Sequence, residues 1–264
     1  MGVTMKSGEY KTMDRLAVRQ RVHLLYSEPP DDIEKTTLSF VPVGEDASVL
    51  DVGCGTGTFL ARLSHPHVTG RVLGLDISEA AVASVATRGI PAVRGDIYRL
   101  PFQDGEFDFV FARHMLDHIQ RVPDALRECH RVLKRSGVFV AVINDASQAP
   151  LLSDLIARTV KSHGVEVPAS ARPDVDSGNL PTMVQQVFGN VRVEKVSGFL
   201  VFPEPYPLVE FAISLLHFYG VSVESMEYPA VCASISHEIN NRFLQTGASW
   251  RDRKGYSVSV GIKG

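Results

Sequence analysis

The chain has 264 residues, of which 44% are hydrophobic and 22% charged, with a formal net charge of −3. That composition excludes disordered and fibrous classes, and the length allows one large α/β domain with an accessory lid rather than two full domains. Lys and Arg are scattered rather than gathered into a block, so the electrostatic footprint of a nucleic-acid binder is missing and no nucleic acid partner is expected.

No apolar stretch approaches the roughly 20 residues that cross a bilayer, and the opening residues 1–6 lack the apolar core of a secretory signal. The expectation is a cytoplasmic protein without membrane insertion, a monomer or homodimer. Cys54, Cys129 and Cys232 are widely spaced and odd in number, which argues against a disulfide framework. With no His-Glu-x-x-His or similar spacing, no metal is expected either.

In chain order, residues 1–46 read as an N-terminal helical cap. Leu16, Val18, Val22 and Leu25, then Ile33 and Leu38, recur at helical spacing on either side of Pro29-Pro30, predicting two helices joined by a proline turn. Residues 47–52 form a short apolar run that stops in glycines, the mark of a buried strand entering a tight turn. Helices are then expected at 58–64, 79–88 and 123–134, alternating with strands at 71–75, 92–94, 107–111 and 138–143.

Such alternation predicts right-handed βαβ units and a parallel sheet with helices on both faces. Beyond Pro150 the pattern predicts helices at about 150–163 and 180–188, a strand at 191–196 and a last strand at 256–262. The expected fold is therefore α/β, a Rossmann-like, doubly wound, mostly parallel seven-stranded sheet with a helical preface and a helical lid inserted before the last strand. Residues 47–198 and 255–264 would form the Rossmann-like domain and residues 199–254 the lid. The charged run Arg251-Asp252-Arg253-Lys254 reads as a solvated loop.

In an open parallel sheet, ligands bind at the carboxyl ends of the strands. Gly53, Gly55 and Gly57 follow the first strand, where glycine tolerates positive φ and lets the backbone approach a ligand. The loop reads Gly-x-Gly-x-Gly with Thr58 where a dinucleotide fingerprint places its last glycine, and with Asp51 just ahead, which weakens a dehydrogenase reading. Asp76 closes the second strand, where a carboxylate can accept from both hydroxyls of a ribose, and Asp96 closes the third, within reach of an adenine amino group.

The segments Val49-Leu50-Asp51-Val52-Gly53-Cys54-Gly55-Thr56-Gly57, Leu75-Asp76-Ile77-Ser78, Gly95-Asp96, Leu100-Pro101-Phe102 with Phe107-Asp108, and Arg131-Val132-Leu133-Lys134 with Gly137 resemble, in order and spacing, the motifs of class I S-adenosylmethionine-dependent methyltransferases. The preface, the segment Arg113-His114-Met115-Leu116-Asp117-His118-Ile119 and the final strand look most like the small-molecule, ubiquinone-type (methyltransferase type 11-like) subgroup. The resemblance implies S-adenosylmethionine as methyl donor and S-adenosylhomocysteine as product. It assigns Asp51 with Gly53, Cys54, Gly55 and Gly57 to the methionyl end, Asp76, Ile77 and Ser78 to the ribose and adenine, Asp96 and Ile97 to the adenine edge, and Arg113 to the neighbourhood of the sulfonium.

Methyl transfer is an in-line displacement, so the protein chiefly aligns the acceptor, excludes water and removes a proton where one must leave. His114 and His118, four residues apart, and Asp145 after the fifth strand are the candidate bases. The aromatic stretch that includes Phe199, Tyr206, His217 and Tyr219, with Tyr10 from the preface, is expected to line the lid over a small-molecule acceptor. The leading reading is methylation of an oxygen or nitrogen of a small, partly apolar metabolite. The alternatives are methylation of carbon on an activated ring, or a protein of this fold that binds the cofactor without transferring methyl.

Overall fold

The structure, a computed structural model, describes residues 13–64, 68–168 and 174–264, with side chains from Arg15 onward. The preface consists of α1 (Met13–Leu25), the two-residue strand β1 (Ser27–Glu28) and α2 (Ile33–Ser39). Asp32 caps α2 by accepting from the Lys35 amide at 3.1 Å. Then β2 (Val49–Val52), α3 (Thr58–Leu63), β3 (Val72–Asp76), α4 (Glu79–Ala86), β4 (Ala92–Arg94), β5 (Phe107–Arg113), α5 (Val122–Val132) and β6 (Leu133–Asn144) alternate as expected. After them come α6 (Pro150–Ser162), α7 (Leu180–Phe188), β7 (Val191–Phe202), α8 (Pro205–Leu215), α9 (Tyr228–Thr246) and β8 (Trp250–Ile262).

These strands form one sheet in the order β1-β7-β8-β6-β5-β2-β3-β4. From β6 to β4 every pairing is parallel, while β8 enters antiparallel between β6 and β7. The fold is the expected Rossmann-like α/β sheet, with eight strands rather than seven. The extra strand, β1, pairs Ser27 with Leu200 and Glu28 with Phe199, and two residues are too few to leave an alternation in sequence.

Both faces of the parallel part are covered. Val49, Val72, Val140 and Phe111 pack with Phe59, Leu60 and Leu63 of α3 and Val85 of α4. On the other face Leu50, Val52, Leu73, Leu75 and Val110 pack with Leu126 and Cys129 of α5 and Val184 of α7. The chain order reverses direction across β2, with β3 on one side and β5 on the other. That switch point opens a crevice at the carboxyl ends of β2 and β5.

The β7–β8 ribbon is longer than its sequence pattern, running without interruption from Val191↔Gly261 to Phe202↔Trp250. Its outer half carries a separate core, in which Leu200, Phe202 and Trp250 meet Val22 of α1, Leu152 and Ile156 of α6, Phe211 of α8 and Ile235 of α9. The run at 251–254 is thus strand rather than solvated loop. Its alternation buries Asp252 (2% exposed) and Lys254 (4%), and burial is possible because each has partners. The Asp252 carboxylate accepts from the amides of Leu151 (3.2 Å) and Leu152 (2.8 Å), which start α6. Phe199 also lies in β7, where the Arg251 guanidinium stacks on its ring at 3.8 Å, so it belongs to the ribbon surface and not to the inserted helices.

Candidate active site

The loop after β2 is built by backbone that only glycine accepts easily. Gly53 has φ 72°, and a Cβ there would stand 2.8 Å from Met115 Cγ. Its amide donates to the Leu75 carbonyl at 2.7 Å, tying the turn to the end of β3. The Gly55 amide donates to Asp76 Oδ2 at 3.0 Å, and Gly57 caps α3 in the left-handed region. Cys54 turns its thiol away from the crevice, toward Gly74 and Leu60 in the core, and burial pushes that thiol's pKa up.

A narrow cleft of about 40 Å³ runs along the strand ends, lined by Val52, Gly53, Asp76, Ile77, Asp96, Ile97, Met115 and His118 among others. The Asp76 carboxylate accepts from the Gly55 amide and, at 2.9 Å, from the Ser78 amide, while burial raises its pKa. Ser78 itself caps α4 through the Ala81 amide at 3.3 Å. Asp96, which also lines the cleft, accepts from the Tyr98 amide at 2.9 Å through one carboxylate oxygen. Arg131 holds that turn's continuation in place through the carbonyls of Leu100 (3.0 Å) and Phe102 (2.8 Å).

The least satisfied group is Asp51. It is 1% exposed, and neither carboxylate oxygen has a hydrogen-bond partner. Its nearest cation is Arg113, whose Nε lies 3.6 Å from Oδ1 and whose guanidinium stacks on the Phe59 ring at 3.8 Å. Burial outweighs this attraction and pushes the Asp51 pKa up to about 6. A buried carboxylate with two idle oxygens is a receptor for a cationic group. The crevice thus has an unsatisfied buried carboxylate behind the glycine turn and the Asp76 and Asp96 carboxylates along the strand ends.

His114 follows β5 with φ 50° and donates its amide to the Val142 carbonyl at 2.8 Å. Its Nε2 is buried and unpartnered, and burial, then the Arg113 charge, pull its pKa down to about 4. Four residues on, His118 lines the cleft and stacks on Phe218, with ring centroids 6.1 Å apart.

The remaining predicted residues divide. Asp145 does not line the cleft: its carboxylate accepts from the Ser177 hydroxyl and lies against Gly255, an anchor for the loop after β6. Tyr206 is 67% exposed and donates to Glu210 at 3.1 Å, so it faces solvent rather than an acceptor. His217 and Tyr219 sit on the 3-10 turn after α8, beside Phe218. Tyr10 lies outside the described residues.

Sequence reasoning missed Met115, which closes over Gly53, and a buried polar group behind His114. There the Lys254 ammonium donates to Asp31 Oδ2 (2.8 Å) and to the Ser27 hydroxyl (2.6 Å). The Tyr256 and Thr36 hydroxyls both donate to Asp31 Oδ1 at 3.1 Å. His23 of α1 is adjacent, its Nδ1 unpartnered. Nothing local in the sequence marks these residues, because they come from two segments at opposite ends of the chain.

Comparison with known proteins agrees with this geometry. Residues 50–141 match the model of a methyltransferase domain. That stretch therefore resembles a methyltransferase domain, and the fold around it is Rossmann-like. A demethylmenaquinone methyltransferase of Staphylococcus epidermidis is 33% identical over 127 residues, 46% of this chain and 53% of that enzyme. The chain spans about half the length, or less, of the curated relatives it matches.

Two solved structures superpose over nearly the whole chain. The cyclase SpnF covers 100% of this chain and 97% of its own, with a TM-score of 0.60 at 16% identity. A phosphoethanolamine N-methyltransferase from Haemonchus contortus, solved with phosphomonomethylethanolamine and S-adenosylhomocysteine, covers 96% of this chain and 57% of its own, with a TM-score of 0.57 at 13% identity. At such identities the likeness speaks for the fold alone. Among the described residues no cluster of three or more His, Cys, Asp or Glu side chains is arranged to hold a metal ion, and no helix is long and apolar enough to cross a membrane.

Proposed function

We propose that this chain is an S-adenosylmethionine-dependent methyltransferase that methylates an oxygen or nitrogen of a small, partly apolar metabolite by in-line displacement. The observation that carries the reading is the buried, doubly unpartnered Asp51 carboxylate beside the glycine turn. A methionyl ammonium satisfies it, with Arg113 offering the opposite charge to the methionyl carboxylate. Asp76 accepts from the ribose hydroxyls, Asp96 from the adenine amino group, and Ile77 and Ile97 flank the base. When bound, the cofactor supplies a methyl group on a positively charged sulfur.

The chain's own residues then align and enclose. Met115 and His118 line the cleft near the loop after β5, where an acceptor must approach. We assign residues 199–254, with the preface 1–46, to the acceptor side. The helices α8 and α9 and the outer ribbon build a core of their own beside α1, which supports that division.

A second reading, methylation of carbon on an activated ring, is favoured by His114, since an imidazole with a pKa near 4 is a poor base and ring carbon needs less of one. Calorimetric titration with S-adenosylhomocysteine, followed by transfer from methyl-labelled cofactor to a metabolite extract, tests both. Absence of cofactor binding, or tight binding with label reaching no acceptor, refutes the methyltransferase reading. The labelled atom separates oxygen or nitrogen from carbon.

A further inference from the structure

The buried polar group behind His114 is not among the residues that line the cofactor cleft. Lys254 has three ammonium protons, and the bonds to Ser27 and Asp31 account for two. Both Asp31 oxygens accept hydrogen bonds, from Lys254 on one and from Tyr256 and Thr36 on the other, so the aspartate fixes the ammonium in place. The two unpartnered ring nitrogens, His23 Nδ1 and His114 Nε2, flank this centre. The His114 ring lies 6.4 Å from the Tyr256 ring, and Lys254 lies 5.9 Å from the same ring.

We propose that Lys254, His23 and His114 form the polar end of the acceptor subsite, and that it takes an acidic hydroxyl, phenolic or enolic, as the oxyanion. The proposal rests on the methyltransferase reading above, whose oxygen branch it specifies. His114 stands next in the chain to Met115, which lines the cofactor cleft, so the two sites meet at the loop after β5. Phe211, edge-on to His23 at 6.0 Å, and Tyr256, beside His114, hold the two imidazoles from the core side.

The charges around the imidazoles select the acceptor's state. Lys254, His114 and Arg19 oppose protonation of His23, against Asp31 alone, and with burial they bring it to about 3. Arg113, His118 and Lys254 oppose that of His114, against Asp117. Both rings are therefore neutral at pH 7 and can donate an N–H, but neither takes a proton readily. An aliphatic hydroxyl or a protonated amine would need a stronger base, whereas a phenol, ionising near ~10 or lower, can enter as the anion once a cation lowers that value.

The chemistry balances without a base in the site. The hydroxyl proton leaves to solvent as the acceptor settles beside the Lys254 ammonium. An oxygen lone pair then forms the O–C bond to the methyl group as the C–S pair returns to sulfur, giving a neutral ether and a neutral thioether from an anion and a cation.

The test uses 4-nitrophenol, whose phenolate is coloured, titrated by absorbance across pH with the full chain, with and without S-adenosylhomocysteine. The bound phenol is expected to ionise at least one pH unit lower than free, about a tenfold larger ionisation constant. The shift should shrink in His23→Leu and vanish in Lys254→Met. Calorimetry with S-adenosylhomocysteine and thermal melts run on the same samples. Because Lys254→Met can unfold by stranding Asp31, His23→Leu decides alone where that variant melts early.

An unshifted or raised midpoint, no 4-nitrophenol binding, or an equal shift in folded variants overturns the subsite. A shift without S-adenosylhomocysteine binding supports the subsite and refutes the donor reading instead.

Discussion

Replacing Asp51 with Asn should make the protein more stable and less able to hold its cofactor. The carboxylate's ordinary pKa of 3.8 is raised to about 6 by burial, net of Arg113's attraction. That gap of about 2.2 pH units, at 1.36 kcal/mol each, means the ionised form costs the fold about 3 kcal/mol. Asn imitates the protonated acid, and the lost pairing with Arg113 is already inside that figure. A folded pKa above the unfolded one means the unfolded chain binds fewer protons between pH 3.8 and about 6, so wild-type stability falls as pH rises through that window.

The variant lacks this slope. Its advantage should be near zero below pH 4 and should approach ~3 kcal/mol at pH 7, roughly 2–4 °C in Tm for each kcal/mol. Calorimetric melting of both proteins from pH 4 to 8 reads it directly. Cofactor binding should move the opposite way. An ammonium needs the ionised acid, so wild-type affinity for S-adenosylhomocysteine should be flat above about pH 7 and about tenfold weaker at pH 5. Asp51→Asn should be weak throughout and insensitive to pH over that range. An Asn variant that melts below wild type at pH 7, or that binds S-adenosylhomocysteine as tightly, would refute the assignment of Asp51 as a strained receptor.

Other substitutions probe the remaining parts. Asp76→Ala should weaken S-adenosylhomocysteine binding by about 1.5–3 kcal/mol in calorimetry, since a charged acceptor loses two hydroxyl donors. Gly53→Ala combines a φ of 72° with a Cβ 2.8 Å from Met115 Cγ. It should cost about 1–3 kcal/mol in denaturant unfolding and impair cofactor binding. Asp252→Ala removes the acceptor for the Leu151 and Leu152 amides and should cost about 1–2 kcal/mol of stability with cofactor affinity unchanged. His114→Ala should weaken binding of a phenolate acceptor by about tenfold or more while leaving the S-adenosylhomocysteine Kd within error, since the lost N–H donor serves the acceptor oxygen. An S-adenosylhomocysteine Kd that rises in step would move His114 to the cofactor.

Local chemistry wrote much of the fold into the chain. A short apolar run ending in Gly53-Cys54-Gly55 can only be a buried strand entering a turn, because interior strands demand apolar side chains on both faces and only glycine turns that sharply. Asp76 and Asp96 were legible for the same reason, being carboxylates where apolar strands stop. Helix α6 and the strand at 191–196 also showed in their periods. The outer ribbon did not, for Gly198 and Gly255 interrupt the pattern and a charged run such as 251–254 normally means solvent.

What the sequence by itself determined is which residues stand around the cleft proposed for the donor, since the glycine turn, Asp51, Asp76 and Asp96 all sit at fixed offsets from single strands. The polar group proposed for the acceptor was assembled only in three dimensions. Pairing β7 with β8 over twelve residues carries Lys254 and Tyr256 beyond β6, and β1 brings His23, Ser27 and Asp31 against them. It also separates Asp145 and Tyr206 from the cleft, although both bear plausible chemistry. Burial then sets the charge states, making Asp51 a poor carboxylate and His114 a poor base. Desolvation depends on every neighbour at once, and no local stretch of sequence encodes that.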